Sequence, residues 1–129
     1  LNNRPVKELK GIILLSLLFS ASSAFAQPAP YKVYGAIAEK WNLLGGISGP
    51  LGAPRSDELD AARGGHYNSF ANGFIYWHPS IGAFAVYGLI GQKWSDLGRE
   101  VGFGYPLTDE KPAIDGGRFN DFEDGKSIY

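Results

Sequence analysis

A repeated unit constrains this chain more than any other feature. The stretch Val33–Pro54, VYGAIAEKWNLLGGISGPLGAP, carries Tyr34, Ile37, Trp41 and Leu44, then Gly45-Gly46, and closes on Leu51-Gly52-Ala53-Pro54. Most of it returns once, as Val86-Tyr87-Gly88, Ile90, Lys93-Trp94, Leu97-Gly98 and Phe103-Gly104-Tyr105-Pro106. Self-similarity of this kind marks a chain built from units that bury their apolar faces against their neighbours.

Tyr34, Ile37, Trp41 and Leu44 fall at intervals of three, four and three, which is one face of a helix. Gly45 follows where a helix end favours a residue without a Cβ, and Gly98 stands in the same place in the second copy. Both helices should be short, roughly three turns, and marginal unless packed. The hydroxyl and carboxylates of Ser56-Asp57-Glu58, matched by Thr108-Asp109-Glu110, read as a turn or cap.

Asn72-Gly73 and Asp124-Gly125, flanked by aromatic and aliphatic residues, predict hairpins. A two-residue turn would pair Phe70 with Ile75, and a three-residue turn with a glycine bulge would pair Phe70 with Phe74. Pro79 and Gly82 make a further turn, and Ala83–Val86 supplies a third strand. The expected fold is therefore α+β: tandem repeats of short helix, loop and hairpin or three-stranded meander. One constant shift pairs Trp41 with Trp94, and a shift one residue shorter pairs Gly73 with Gly125. Under that alignment Tyr129 falls opposite Trp77, so the second unit is incomplete at its C-terminus. The expected organisation is a signal peptide at residues 1–26, a spacer at 27–32, and repeats at 33–85 and 86–129.

The signal-peptide reading rests on Arg4, Lys7 and Lys10, the apolar run Gly11–Phe19, and the small-residue ending Ala24-Phe25-Ala26. The apolar run is short for a membrane span, so the expectation is cleavage after Ala26 and no membrane contact afterwards. Cleavage removes three cations and one anion, Glu8, from a chain whose 12 Lys and Arg face 13 Asp and Glu. The remainder is net negative without a basic cluster, which argues against nucleic acid as a partner. The absence of cysteine excludes disulfide staples and thiol chemistry.

The order of Lys-Trp, Leu-Gly, Leu-Gly-x-Pro, Ser/Thr-Asp-Glu, Gly-Gly and Asn-Gly-x-Ile-Tyr-Trp resembles the LGFP repeat of exported bacterial proteins. The resemblance covers residues 33–129, with LGAP and FGYP in place of the name tetrapeptide. It implies units set around a pseudo-symmetry axis, a propeller-like array where more units are present. It also implies attachment to enzymes of the cell envelope, which such modules hold on cell-wall polysaccharide.

No catalytic constellation accompanies the repeat. His66 and His78 have no metal-ligand spacing, and adjacent Asp57-Glu58 suits turn chemistry better than a facing pair of glycosidase carboxylates. Ser48 and Ser69 sit in no nucleophile elbow. No cofactor or metal is called for. Trp41 and Trp94 belong to the helical stripe and read as core. Tyr76, Trp77 and His78 are consecutive on a strand, so alternation sends at least one aromatic to the non-core face. With Asn68 across the hairpin, its repeat Asn120, and Tyr129, they form the expected ligand-binding set. The expected function is a non-catalytic, secreted cell-envelope module that binds cell-wall polysaccharide and either self-associates or belongs to a longer array. The alternatives are a fragment of an exported hydrolase or acyltransferase, and a protein-binding adhesive repeat.

Overall fold

A computed structural model describes residues 30–129; the signal-peptide reading of 1–26 and the first half of the 27–32 spacer lie outside the described residues. No described helix is long and apolar enough to cross a membrane. Each unit opens on a helix of 9 residues, α1 (Gly35–Leu43) and α2 (Gly88–Asp96). Ile37 in α1, and Ile90 and Trp94 in α2, are the buried members of the expected stripe, whereas Tyr34 sits at the N-cap and is exposed. Gly45 (φ 102°) and Gly98 (φ 94°) stop the helices in the left-handed conformation, as the sequence predicts. A short helix, α3 (Arg99–Gly102), follows in the second unit where the first has a single turn at Gly46–Ser48.

The tetrapeptide loop is fixed to its helix by an indole. Trp41 Nε1 donates to the Gly52 carbonyl at 3.0 Å, and Trp94 Nε1 donates to the Gly104 carbonyl at 3.0 Å. Each loop then reaches the hairpin, where Pro54 bridges to Phe70 and Pro106 to Phe122.

The first sheet has four antiparallel strands in the order β1 (Leu59–Asp60), β2 (His66–Phe70), β3 (Gly73–His78), β4 (Gly82–Tyr87). The second has three, β5 (Lys111–Pro112), β6 (Arg118–Phe122) and β7 (Lys126–Ile128). The architecture is α+β, with one strand more in the first unit than the expected meander.

The first hairpin takes neither expected register, whereas the second takes the expected three-residue turn with glycine. Phe70 pairs with Gly73, so the first turn is Ala71-Asn72 and Gly73 already belongs to the strand. Gly73 is required by space rather than by φ: a Cβ there would lie 2.3 Å from the Val86 carbonyl oxygen. The second hairpin pairs Phe122 with Lys126 around Glu123-Asp124-Gly125, with Asp124 (φ 62°) and Gly125 (φ 70°) both left-handed. That extra loop residue moves β7 by one position relative to β3. Tyr129 is therefore the counterpart of Tyr76, not of Trp77. The ring pairs agree: Tyr67 stacks on Tyr76 at 4.5 Å, and Phe119 stacks on Tyr129 at 5.2 Å.

β3 has no solvent face. Ile75 points into a core with Ile37, Leu51, Phe70 and Ala85, against which Trp41 and Trp77 pack. Tyr76 points the other way, into a core with Val86, Ile90, Trp94, Tyr105, Phe122 and Ile128. The second core is shared: the helix and hairpin of the second unit cover the back of the first unit's sheet. Trp94 is fully buried there and meets Tyr76 edge-on at 4.9 Å. Truncating such a side chain to Ala costs about 3–5 kcal/mol.

Candidate functional site

At the start of α1 the surface opens into a cavity of about 410 Å³ whose walls include Tyr34, Ala36, Ile37, Glu58, His66 and Trp77. Trp77 and His66 are cross-strand partners on β3 and β2, and their rings stack at 5.8 Å with 20° between planes. His66 Nδ1 lies 3.4 Å from Asp60 and 3.9 Å from Glu58. Tyr34, 56% exposed, stands on the opposite wall because the N-cap position lifts it off the buried helical stripe. The groove thus joins two aromatic rings to a carboxylate and an imidazole, a combination suited to a flat ligand edged with hydroxyls.

The second unit builds the same corner differently. Tyr87, Glu110 and Arg118 take the places of Tyr34, Glu58 and His66, and Arg118 Nε donates to Glu110 at 3.1 Å. Burial, then the neighbouring Glu110 carboxylate, raises the Tyr87 phenol above its ordinary range. An ion pair occupies the corner where the first unit keeps an imidazole over an indole.

Of the residues singled out from sequence, only Trp77 faces this groove. Tyr76 is buried in the second core, where burial pushes its phenol far above its ordinary value despite a hydrogen bond from Arg99. His78 turns to the same side as Tyr76, its Nε2 2.8 Å from the Arg63 carbonyl and its ring 5.3 Å from Tyr105. Tyr129 is 80% exposed on the far face of the second unit. The structure separates the set instead of gathering it.

Asn68 and Asn120 are fully buried and hold the backbone. Asn68 Nδ2 donates to Lys32 and Ser56 carbonyls at 3.1 and 3.0 Å, and Asn120 Nδ2 to Ala85 and Thr108 carbonyls at 3.0 and 2.9 Å. The Ser/Thr-Asp pairs complete the clamp. Asp57 accepts from Lys32 N at 2.8 Å and Asp109 from Ala85 N at 2.9 Å, while Ser56 and Thr108 hydroxyls accept from Ser69 and Asp121. These residues were expected to cap local turns; instead Asp57 and Asp109 reach across the fold to Lys32 and Ala85, and Ser56 and Thr108 tie their loop to the hairpin strand. Neither Asn Oδ1 has a hydrogen-bond partner among the described residues.

The clamp, the indole-to-loop bond and the left-handed glycine recur in both units, which defines the repeat by its hydrogen bonds as well as its residues. The family model of the LGFP repeat matches residues 51–102 and 103–129, more than half of the chain. The chain belongs to the LGFP repeat family. Both LGFP matches begin on the tetrapeptide, at Leu51 and Phe103, where the loop receives the indole of the preceding helix. No curated protein is significantly similar to it.

Sequence reasoning missed Tyr34, Glu58 and His66 as one site. A signal was present: His66 and Arg118 differ in kind at matching positions, where the preceding glycines are identical and the following residue is aromatic in both.

Proposed function

We propose that this LGFP chain is a non-catalytic module that binds polysaccharide of the cell envelope and so places an exported protein there. The observation that carries the reading is the groove: the Trp77–His66 stack and the Tyr34 ring flank Glu58 in an open cavity of about 410 Å³. Indole and phenol faces pack on the C–H faces of sugar rings, while Glu58 and His66 accept from and donate to hydroxyls. One such site binds weakly, and a repetitive polymer compensates through many simultaneous contacts. Export and the envelope location rest on the N-terminal pattern and on the family resemblance.

The test is retention on purified cell-wall polysaccharide, comparing the unaltered protein with Tyr34→Ala and Glu58→Gln. Both side chains are outside the core, so the fold is preserved. The reading predicts that each substitution weakens retention several-fold. Retention that both substitutions leave unchanged removes the groove as the site, and an absence of any retention removes the polysaccharide reading.

A further inference from the structure

The two units build the same corner around a carboxylate, and only the second fills it with a cation of its own. There Arg118 Nε donates to Glu110 Oε2 at 3.1 Å, and Arg118 Nη2 reaches the Glu110 carbonyl at 3.5 Å. Tyr87, at the N-cap of α2, stands beside that pair.

In the first unit Tyr34 and Glu58 hold the equivalent places, but the guanidinium gives way to the imidazole of His66. That imidazole is drawn off the carboxylate. Its ring stacks on Trp77, and its Nδ1 lies nearer to Asp60, at 3.4 Å, than to Glu58, at 3.9 Å. Asp60 has no acidic counterpart in the second unit, because Pro112 takes its position. Arg118 is therefore directed to Glu110, whereas Glu58 accepts no hydrogen bond among the described residues.

Glu58 nonetheless lines the groove, with Tyr34 and Trp77 in its other walls. A carboxylate sharing an open cavity with aromatic faces suits a cation: the ring faces attract positive charge, and the carboxylate adds a charge-assisted hydrogen bond. The start of α1 also borders the groove, and the positive end of a helix works against a cation. The second unit shows which effect wins, since Arg118 pairs with Glu110 beside the start of α2. Its guanidinium is the chain's own example of the group that the first corner lacks.

We propose that the groove of the first unit takes a primary ammonium group carried on a sugar ring, an unacylated amino sugar, with Glu58 as its counter-charge. The site is the one that the polysaccharide reading uses, and the proposal rests on that reading. An ammonium brings three N–H donors to Glu58 and its neighbours. With Nδ1 turned to two carboxylates, the proton of a neutral His66 belongs on Nδ1, which leaves Nε2 as a further acceptor. N-acetylation removes the charge and two of the three donors, and a hydroxyl offers one donor without charge.

The test is an NMR titration of the purified protein with three oligosaccharides of one length and linkage, carrying an amine, an acetamide or a hydroxyl at the same position. The amine form should bind about tenfold more tightly than the other two, the ratio that one charged hydrogen bond gives. Glu58→Gln should abolish that preference. Glu39→Gln removes the same charge from an exposed position on α1 outside the groove and should keep it. Thermal melts check that both variants remain folded. Equal affinity for the three sugars overturns the ammonium proposal and leaves the polysaccharide reading standing. A preference that Glu39→Gln lowers as much as Glu58→Gln also overturns it, because overall charge then accounts for the effect. Binding of no sugar, whether or not a lysine peptide binds, removes the polysaccharide reading and this proposal with it.

Discussion

Asn120 holds Ala85 across the boundary between the two units, its amide donating at 3.0 Å to a carbonyl that β3 does not use. Asp109 takes the Ala85 N–H at 2.9 Å, so both polar groups of one β4 residue are satisfied by the next unit. Lys40 of the first helix closes the link with an ion pair to the same Asp109. The edge of the first sheet is thereby sealed by side chains instead of a fifth strand, which also blocks unwanted pairing there.

Asn120→Ala leaves two carbonyls without their donors in a buried place and should destabilise the fold by roughly 2–4 kcal/mol. Asn68→Ala should cost less, because its partner Lys32 is exposed, whereas Ala85 is buried. Chemical denaturation of both variants measures the difference; equal small losses would show that the clamp is not a coupling element.

Two glycines at matching repeat positions should fail for different reasons. Gly125→Ala meets no atom within 4 Å but must hold φ 70°, at about 1–2 kcal/mol. Gly73→Ala needs no unusual φ but collides with the backbone of β4, and should be the more damaging of the two. Melting temperatures of the pair decide this.

Glu123 makes stability depend on acid. The hydrogen bond from Arg63, aided by the Tyr105 N–H, holds its carboxyl below the ordinary 4.5. The unfolded chain therefore binds its proton first, so the contribution is complete above about pH 4.5 and is lost as pH falls through the folded value. Glu123→Gln should flatten the stability profile below that pH and leave its shape unchanged near neutrality.

The helices, their left-handed glycine stops and the repeat itself were legible because each is written in local spacing. The hairpin register was not. Asp124-Gly125 takes the left-handed turn its residues favour, but Asn72 does not: Gly73 is drawn into the strand by its close approach to Val86. The dipeptides Ile75-Tyr76 and Ile128-Tyr129 carried the correct correspondence. Asn68 and Asn120 looked like ligand contacts because a polar residue on a hairpin suggests an open face. Their partners are backbone carbonyls far away in sequence, brought close only by the tertiary fold. Alternation along β3 placed Trp77 and Tyr76 on opposite faces as expected, yet both faces are covered, so only the strand end reaches solvent.

The three tryptophans allow the most direct test of the groove. Trp41 and Trp94 commit their indole N–H groups to Gly52 and Gly104, while Trp77 lines the groove beside His66. Amide and indole NMR spectra, recorded while soluble cell-wall oligosaccharide is added, should show the Trp77 indole signal and the Tyr34 and Glu58 amides moving together. The Trp41 and Trp94 indole signals should stay in place. Shifts confined to other surfaces, or a Trp77 signal unmoved at saturating sugar, would contradict the account.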